Sequence, residues 1–304
     1  MAFGPDDLYQ NFEVTANTLS ELTAHLDALY ENRIKALNTT WVYRGVGNAD
    51  YGFLSSLHRR VWWSKAAQAG KYWTGVEPPD ETELAEAEER ILADAHRWGI
   101  HDADRGRLSI LRQLAVLQHN HAPTRLIDVS FNIWVALWFA TELSYANGLP
   151  VPDTTDGRLF VVDISDRLIN ETNERDWEDE LSRPWRDSLI NDWCSTTRAW
   201  RPAPADRRIA AQHGSFLLGG VPFTSAKQHY PKSPSSGKTG KWLSKDELRS
   251  CTSLPLRFHK ANPKTGFKQS TAGDAYTIRI TAGLKGDLRV FSPSGGDGRA
   301  STAA

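Results

Sequence analysis

The chain has 304 residues, of which 40% are apolar and 24% charged, and its formal net charge is −1 at pH 7. It has no apolar stretch approaching the roughly 20 residues of a membrane span, and its N-terminus lacks the basic and apolar pattern of a secretory signal, so we expect a cytoplasmic protein with no membrane partner. Two cysteines are too few for a disulfide framework or a cysteine-rich metal site, and the nearly balanced charge argues against a whole-domain electrostatic grip on nucleic acid.

The first part of the chain alternates predicted helices with one short strand. Residues 18–37 predict an amphipathic helix, because leucines recur there at three- and four-residue steps. The segment WVYRGV (41–46) is β-branched and aromatic, which predicts a strand. Asp80 and Glu83 have the spacing of a capping box. We therefore expect a helix to open at this point and to run to about Trp98.

The middle of the chain predicts a helix, a buried strand and a second helix in succession. The first helix covers residues 107–118 and the strand is TRLIDVS (124–130). The second helix covers residues 132–145, with Asp128 or Ser130 as its cap. Further strands are predicted at RLFVVDIS (158–165), RIAAQHGSFLL (208–218) and residues 276–280. Because this alternation is irregular and lacks GxGxxG or Walker sequences, we predict an α+β fold with a mixed, mostly antiparallel sheet and packed helices.

The predicted organisation is one domain with an extension. Residues 1–220 form the domain with its N-terminal helix, and residues 221–291 are an extension that completes the same domain. Residues 224–246 are rich in Ser, Gly, Pro and Lys, which predicts a mobile loop within that extension. The small, polar residues 292–304 predict a disordered tail.

The strand segment Tyr43-Arg44-Gly45 is the first of three places where polar residues interrupt an apolar pattern. An arginine in an apolar strand needs a partner or a ligand, because an unpaired buried charge is costly. Gly45 permits a close approach of another backbone or of a ligand. A structural salt bridge or an edge-strand position would explain Arg44 equally well.

The second place is the passage from a strand into a helix through Asp128, Ser130 and Asn132. The free N–H groups at the start of a helix can hold a sugar hydroxyl or a phosphate. The same three residues could instead serve only to cap the helix. Both interpretations remain open at the level of sequence.

The third place is Gln212, which follows the paired Arg207 and Arg208. The glutamine amide offers a donor and an acceptor together, and the arginines favour an anion. Alternatively, Gln212 lies on the solvent face of an alternating strand. His119 could act as a general base or could be satisfied within the fold.

These segments together resemble the FRG domain, a bacterial and phage domain named for an aromatic-Arg-Gly motif. The resemblance spans residues 15–220 and is carried by WVYRG (41–45), FLSSLHRR (53–60), LRQLAVLQHNHAPTRLIDVSFNIWVALWFA (111–140) and RRIAAQHGSF (207–216). The last 80 or so residues do not show the ending associated with this family. Because its members often occur near defence or toxin systems, the resemblance implies such a role, with an antitoxin or immunity protein as a partner.

A weaker resemblance is to ADP-ribosyltransferases, whose core has three strand motifs: aromatic-Arg-Gly, a hydroxyl-bearing strand, and a strand with a glutamate. This resemblance implies an ADP-ribosyltransferase-like core with NAD as the substrate. The implied cofactor-binding residues are Tyr43, Arg44, Gly45, Thr124, Arg125 and Asn132. The implied catalytic residues are Arg44, Ser130 and Gln212, and the chemistry of the reaction adds His119 as a general base and Asp128 as a source of negative charge. Gln212 would occupy the place of the glutamate without its charge, which leaves open slow transfer, a substitute carboxylate such as Asp128 or Glu142, or binding without turnover.

Two functions therefore remain open. The first is an NAD-using transferase or glycohydrolase that acts as a toxin or defence effector. The second is a non-catalytic module that recognises a nucleotide, a nucleic acid or a phage protein through a cleft ringed by Trp41, Trp134, Trp138 and the two arginines 207 and 208. A metal hydrolase is disfavoured, because the nine histidines show no paired ligand spacing and no metal site is expected.

Overall fold

The computed structural model describes residues 3–31, 39–100, 102–103, 106–142, 145–146, 149–150, 154–165, 167–169, 197–202, 214–222, 243–259 and 274–290. The helices are α1 Pro5–Tyr9, α2 Leu19–Leu29, α3 Ser56–Gln68, α4 Glu81–Arg97, α5 Ile110–His119, α6 Ile133–Thr141, α7 Lys245–Arg249 and α8 Ala282–Val290. The strands are β1 Val14–Ala16, β2 Trp41–Val46, β3 Asp102–Ala103, β4 Gly106–Arg107, β5 Ile127–Ser130, β6 Tyr145–Ala146, β7 Leu149–Pro150, β8 Gly157–Asp163, β9 Arg198–Trp200, β10 Gly214–Leu218, β11 Arg257–Phe258 and β12 Asp274–Ile280.

The main sheet has the strand order β1-β12-β8-β2-β5-β10-β9, with β11 pairing beside β12. Strands β1 and β11 run parallel to β12, and the other neighbours are antiparallel. Two short pairs, β3 with β4 and β6 with β7, lie apart from this sheet. The predicted α+β fold with a mixed, mostly antiparallel sheet is therefore confirmed. No helix among the described residues is both long and apolar enough to cross a bilayer.

The late strand β12 lies inside the sheet, where it is hydrogen-bonded between β1 and β8. The C-terminal extension therefore supplies an interior strand. Helix α7 begins at Lys245, within the residues predicted as a mobile loop, because Ser244 and Glu247 form a capping box that starts the helix. The mobility of residues 224–246 stays a prediction. Residues 224–242 and 292–304 lie outside the described residues.

Several predicted elements are confirmed. Strand β2 covers the predicted residues 41–46, and α4 starts with the expected capping box between Asp80 and Glu83. Helix α6 is capped by Asn132, whose side-chain oxygen accepts from the Trp134 backbone N–H at 3.0 Å. The prediction that Asp128 or Ser130 caps this helix is therefore wrong. Ser130 instead accepts from the backbone N–H of Asn132, one step before the helix.

Strand β2 sends its side chains alternately to two apolar layers. Val42 and Val46 belong to the core cluster on one face, whereas Trp41 belongs to the cluster on the other face, which also contains helix α6. The two-residue period of a strand puts Arg44 on the Val42 face. A charged side chain thus stands between two apolar ones on this face of β2.

Helix α6 packs on β2 and β8 at unusually short range, because glycines face its small residues. A Cβ added at Gly45 would lie 1.8 Å from the carbonyl oxygen of Ala136 and 2.5 Å from the nitrogen of Ala140. At Gly157 of β8, the corresponding distance to the Ala140 carbonyl is 2.2 Å. The helix backbone therefore occupies the space where these two side chains would be.

A buried ionic cluster ties the N-terminal segment to the middle of the sheet. Arg158 of β8 is fully buried, and its Nε donates to Glu13 at 2.9 Å. Arg279 of β12 donates to the second oxygen of the same carboxylate at 2.7 Å. Asp6 pairs with both arginines, and Asp156 pairs with Arg279. The charges are shared, so no guanidinium is left without a carboxylate.

The contact between Gly45 and α6 leads to a first prediction. Gly45→Ala should lower the free energy of unfolding by about 3 kcal/mol, because α6 must move away from β2 to admit the methyl group. Chemical unfolding monitored by circular dichroism measures this change. Gly286→Ala in α8 is the matched control, because nothing lies within 4 Å of a Cβ at that position, and it should leave stability unchanged or raise it. Equal effects of the two substitutions would contradict the proposed packing role.

The buried His58 leads to a second prediction, on pH. His58 in α3 is fully buried, and neither ring nitrogen has a partner among the described residues. Burial, followed by the charge of Arg249, lowers the pKa of His58 from 6.5 to about 3. Between these two values the unfolded chain binds a proton that the folded protein does not. Stability should therefore fall as the pH drops from 6.5 towards 3.

Urea unfolding at pH 7 and pH 5 tests this linkage. His58→Leu cannot titrate, so the loss of stability between the two pH values should be smaller in this variant than in the wild type. His96→Leu replaces an exposed histidine of α4 and should keep the wild-type dependence. An unchanged dependence in His58→Leu would show that this histidine is not the titrating group.

Candidate functional site

The main sheet is interrupted beside β2. Strand β2 is in register with β8 over six residue pairs, but over its described length it pairs with β5 only through Tyr43 and Ser130. A cavity of about 340 Å³ lies next to this interruption, between β2, β5, α5 and α6. We call it the strand cavity. The residues used below that line it are Tyr43, Arg44, Gly45, Gln118, His119, His121, Asp128 and Ser130.

The Arg44 side chain spans the interruption. Its Nη1 donates to the backbone carbonyl of Asp128 at 2.6 Å. Its Nε is buried and has no hydrogen-bond partner within the described part of the chain. Burial lowers the pKa of the Arg44 guanidinium, the charge of Asp128 acts in the opposite direction, and the charge of Arg59 lowers it further. A desolvated guanidinium with an unused donor is suited to an anionic ligand.

The Asp128 carboxylate is held in place from α5. Its Oδ2 accepts from Nε2 of Gln118 at 2.7 Å. The other amide atom, Oε1 of Gln118, accepts from the Thr124 hydroxyl. The Thr124 oxygen in turn accepts from the Leu126 backbone N–H at 3.3 Å. This chain of hydrogen bonds fixes which way the Gln118 amide points, and so orients an exposed carboxylate at the cavity wall.

A second cavity of about 760 Å³ lies between α3 and the segment that leads into β5. We call it the arginine groove, because Arg44, Arg59 and Arg60 line it. It shares four polar side chains with the strand cavity, namely Arg44, Gln118, His121 and Asp128. The two cavities are therefore lobes of one site, and these four residues stand where the lobes meet.

His121, which lines both lobes, has a strained backbone conformation. It follows the last turn of α5 with a φ of 65°, the left-handed region. Its N–H donates to the Gln118 carbonyl at 3.0 Å, and the next N–H, of Ala122, donates to Leu117 at 2.9 Å. Glycine is the usual residue at this position of a helix C-terminus. A histidine here costs about 1–2 kcal/mol.

Six of the residues predicted from sequence do lie together. Tyr43, Arg44, Gly45, His119, Asp128 and Ser130 all line the strand cavity. At Gly45 the close approach expected from the sequence does occur, but the approaching group is helix α6 of the protein itself. Sequence reasoning missed Gln118 and His121 as site residues. Only a positive φ and side-chain contacts could have revealed them, and neither is visible in sequence.

Thr124, Arg125 and Asn132 do not line either lobe. Arg125 is buried and directs its guanidinium at Glu88, at 2.9 Å, and at Glu81, at 3.0 Å. Burial alone would lower the pKa of Arg125, but the two carboxylates outweigh it and raise the pKa. Arg125 therefore joins α4 to the strand segment, Thr124 orients the Gln118 amide, and Asn132 caps α6.

The predicted aromatic ring around the cleft is not observed. Trp41 is buried in the core, and Trp134 and Trp138 are 62% and 44% exposed on α6 without lining either lobe. Gln212 lies outside the described residues, as do Arg207 and Arg208, so their predicted roles stay predictions. Aromatic residues on and around α3 line the arginine groove instead.

Among the described residues, no group of three or more His, Cys, Asp or Glu side chains is arranged to hold a metal ion. Cys251 is a free, buried thiol, and burial raises its pKa to about 12. It is therefore protonated at neutral pH and is not a candidate nucleophile. Cys194 lies outside the described residues.

The fold and the site define an α+β protein with a polar, two-lobed site at an interruption of its main sheet. Residues 39–147 match the family model of the FRG domain. These residues are therefore similar to the FRG domain, and they include the four side chains at the junction of the lobes. The match is shorter than the resemblance over residues 15–220 and leaves residues 207–216 outside it. None of the curated proteins and none of the solved structures compared with the chain matches it significantly.

The strained backbone at His121 leads to a third prediction. His121→Gly should raise the melting temperature by about 2–4 °C, because glycine adopts a positive φ without the steric cost. Differential scanning calorimetry measures the shift. His121→Ala is the matched control, since it removes the ring but keeps the strain, and it should give no such gain. A lower melting temperature for His121→Gly would mean that the ring, rather than the backbone, sets local stability.

Proposed function

We propose that the FRG domain binds NAD at the junction of its two lobes and breaks the bond between nicotinamide and ribose, as a glycohydrolase or an ADP-ribosyltransferase. The observation that carries this proposal is the Asp128 carboxylate, which Gln118 holds at 2.7 Å beside the half-buried side chain of Arg44. A role as a toxin or defence effector with an antitoxin or immunity partner belongs to the same proposal, and rests on the FRG resemblance alone.

The chemistry requires a fixed negative charge. When the nicotinamide–ribose bond breaks, its electron pair leaves with nicotinamide and positive charge develops on the sugar. A preorganised carboxylate stabilises this charge. Asp128 supplies it in the proposal and takes the part that Gln212, being neutral, cannot take. Glu142 is the weaker choice, because it lines neither lobe.

The remaining groups have two roles in the proposal: one binds the phosphates and another accepts a proton. We assign to Arg44 the phosphates of the ligand, because its buried Nε has a donor to spare within the described contacts. A water molecule or an acceptor hydroxyl attacks the sugar and releases a proton. We assign that proton to His121, which lines both lobes, ahead of His119, which lines only the strand cavity.

A second candidate function is recognition of a nucleotide without turnover. The observation that favours it is that the Asp128 carboxylate already has partners within the protein. The Asp128 side chain already accepts from Gln118, and the positive charges of Arg44 and Arg59 lie close enough to interact with it electrostatically. A carboxylate that is satisfied in this way stabilises a sugar cation less.

Release of nicotinamide from NAD, quantified by chromatography, is the fourth prediction. Wild-type protein should release it, and Asp128→Asn should do so about a hundredfold more slowly, because asparagine keeps an oxygen for Gln118 but loses the charge. Asp27→Asn on the exposed side of α2 is the matched control and should retain the wild-type rate.

Thermal stability measured with and without NAD separates the two candidate functions. If NAD raises the melting temperature but no nicotinamide appears, the domain is a recognition module. If NAD neither stabilises the protein nor is consumed, NAD is not its ligand and the proposal fails.

A further inference from the structure

The arginine groove contains an arginine, Arg59, that has no hydrogen-bond or ion-pair partner within the described part of the chain. Arg59 belongs to α3 and is half-buried. Burial lowers the pKa of Arg59 and the charge of Arg60 lowers it further, whereas Tyr51 and Asp128 act in the opposite direction. The fold therefore holds Arg59 in a position that costs free energy in the absence of a ligand.

The charge of the groove favours an anion. Among the described residues, three arginines and two carboxylates, those of Asp50 and Asp128, line it. Asp128 is already engaged by Gln118. The local excess of positive charge arises on a chain whose net charge is −1, so it belongs to this groove rather than to the surface as a whole. A phosphate group would offset the cost of desolvating Arg59 through charge-assisted hydrogen bonds.

Flat aromatic surfaces stand beside these arginines. Trp63 of α3 is 50% exposed and Tyr51 is 59% exposed, and both line the groove. Beneath them, Trp62 is buried and packs edge-on against Trp73, with ring centroids 4.8 Å apart. The Trp62 indole N–H donates to the Val76 carbonyl at 2.9 Å. The wall of the groove is therefore fixed, whereas its outer aromatic rings remain available for stacking.

We propose that the arginine groove binds a nucleoside 5′-phosphate. Arg59 and Arg60 hold the phosphate, and the base stacks on Trp63 or Tyr51. This ligand has two sources, a free mononucleotide or the phosphorylated end of a single-stranded nucleic acid, which share this chemistry. The inference goes beyond cleavage of NAD, because it requires no nicotinamide and uses side chains of α3 that the proposed reaction does not involve.

Isothermal titration calorimetry with AMP, adenosine and a 5′-phosphorylated pentanucleotide tests this site, and is the fifth prediction. AMP should bind at least tenfold more tightly than adenosine, which lacks the phosphate. Arg59→Gln should weaken AMP about tenfold or more, and Trp63→Ala should weaken it about fivefold or more, because stacking of the base is lost. Raised salt should weaken AMP binding in the wild type.

Two matched controls come from α4 and its C-terminal cap. Arg90→Gln and Trp98→Ala replace an exposed arginine and an 83% exposed tryptophan away from the groove, and both should keep the wild-type affinity. Circular dichroism verifies that each variant is folded. If Arg59→Gln is not folded, Arg60→Gln replaces it, because that side chain is exposed and its loss leaves the core intact.

The results separate the two sources and the two proposals. Equal affinity for AMP and the pentanucleotide indicates a free mononucleotide, and much tighter binding of the pentanucleotide indicates a strand end. The inference is overturned if neither compound binds, if adenosine binds as well as AMP, or if the groove variants bind like the controls. Because AMP contains no nicotinamide, binding of AMP without release of nicotinamide from NAD would reject the proposed reaction and leave the groove assignment intact.

Discussion

The whole site depends on one guanidinium that joins two strands where their pairing stops. Strands β2 and β5 share the pair Tyr43 and Ser130, and the next residue, Arg44, reaches the Asp128 carbonyl with its side chain at 2.6 Å. A side-chain bond thus takes the place of a continued ladder. It holds the sheet together and leaves space for a cavity, and at the same time it puts a desolvated charge on the wall of that cavity.

The helices around this interruption act as supports. Helix α5 directs Gln118 at the Asp128 carboxylate, and its C-terminus holds His121 in a left-handed conformation at the junction. Helix α6 lies against β2 because Gly45 has no side chain. In the aromatic-Arg-Gly motif of β2, Arg44 reaches towards β5 while Gly45 lies against helix α6. The two residues are adjacent in sequence and serve opposite faces of the sheet.

The two lobes differ in size and in the side chains that line them. The strand cavity is small and lined by β2, β5 and the neighbouring helices, whereas the arginine groove is larger and brings cations and aromatic rings from α3. The four side chains that they share allow one ligand to span both lobes, or two ligands to meet. A ligand that spans them would place its charged middle at Arg44, and a pair of ligands would meet beside Asp128. In both cases the proposed reaction would take place at the junction.

The sequence alone determined the local elements and the motif. Strand β2, the capping box of α4 and the FRG segment were predictable, because spacing, residue shape and capping act between near neighbours. The grouping of Arg44 with Asp128 and Ser130 was also expected. Tertiary structure decided that Arg125 pairs with Glu88 and Glu81, and that α3 supplies the aromatic wall. These outcomes depend on which strands pair and which helices pack together. Contacts between residues that are distant in sequence produce no periodic pattern in a single sequence, so they could not be predicted from it.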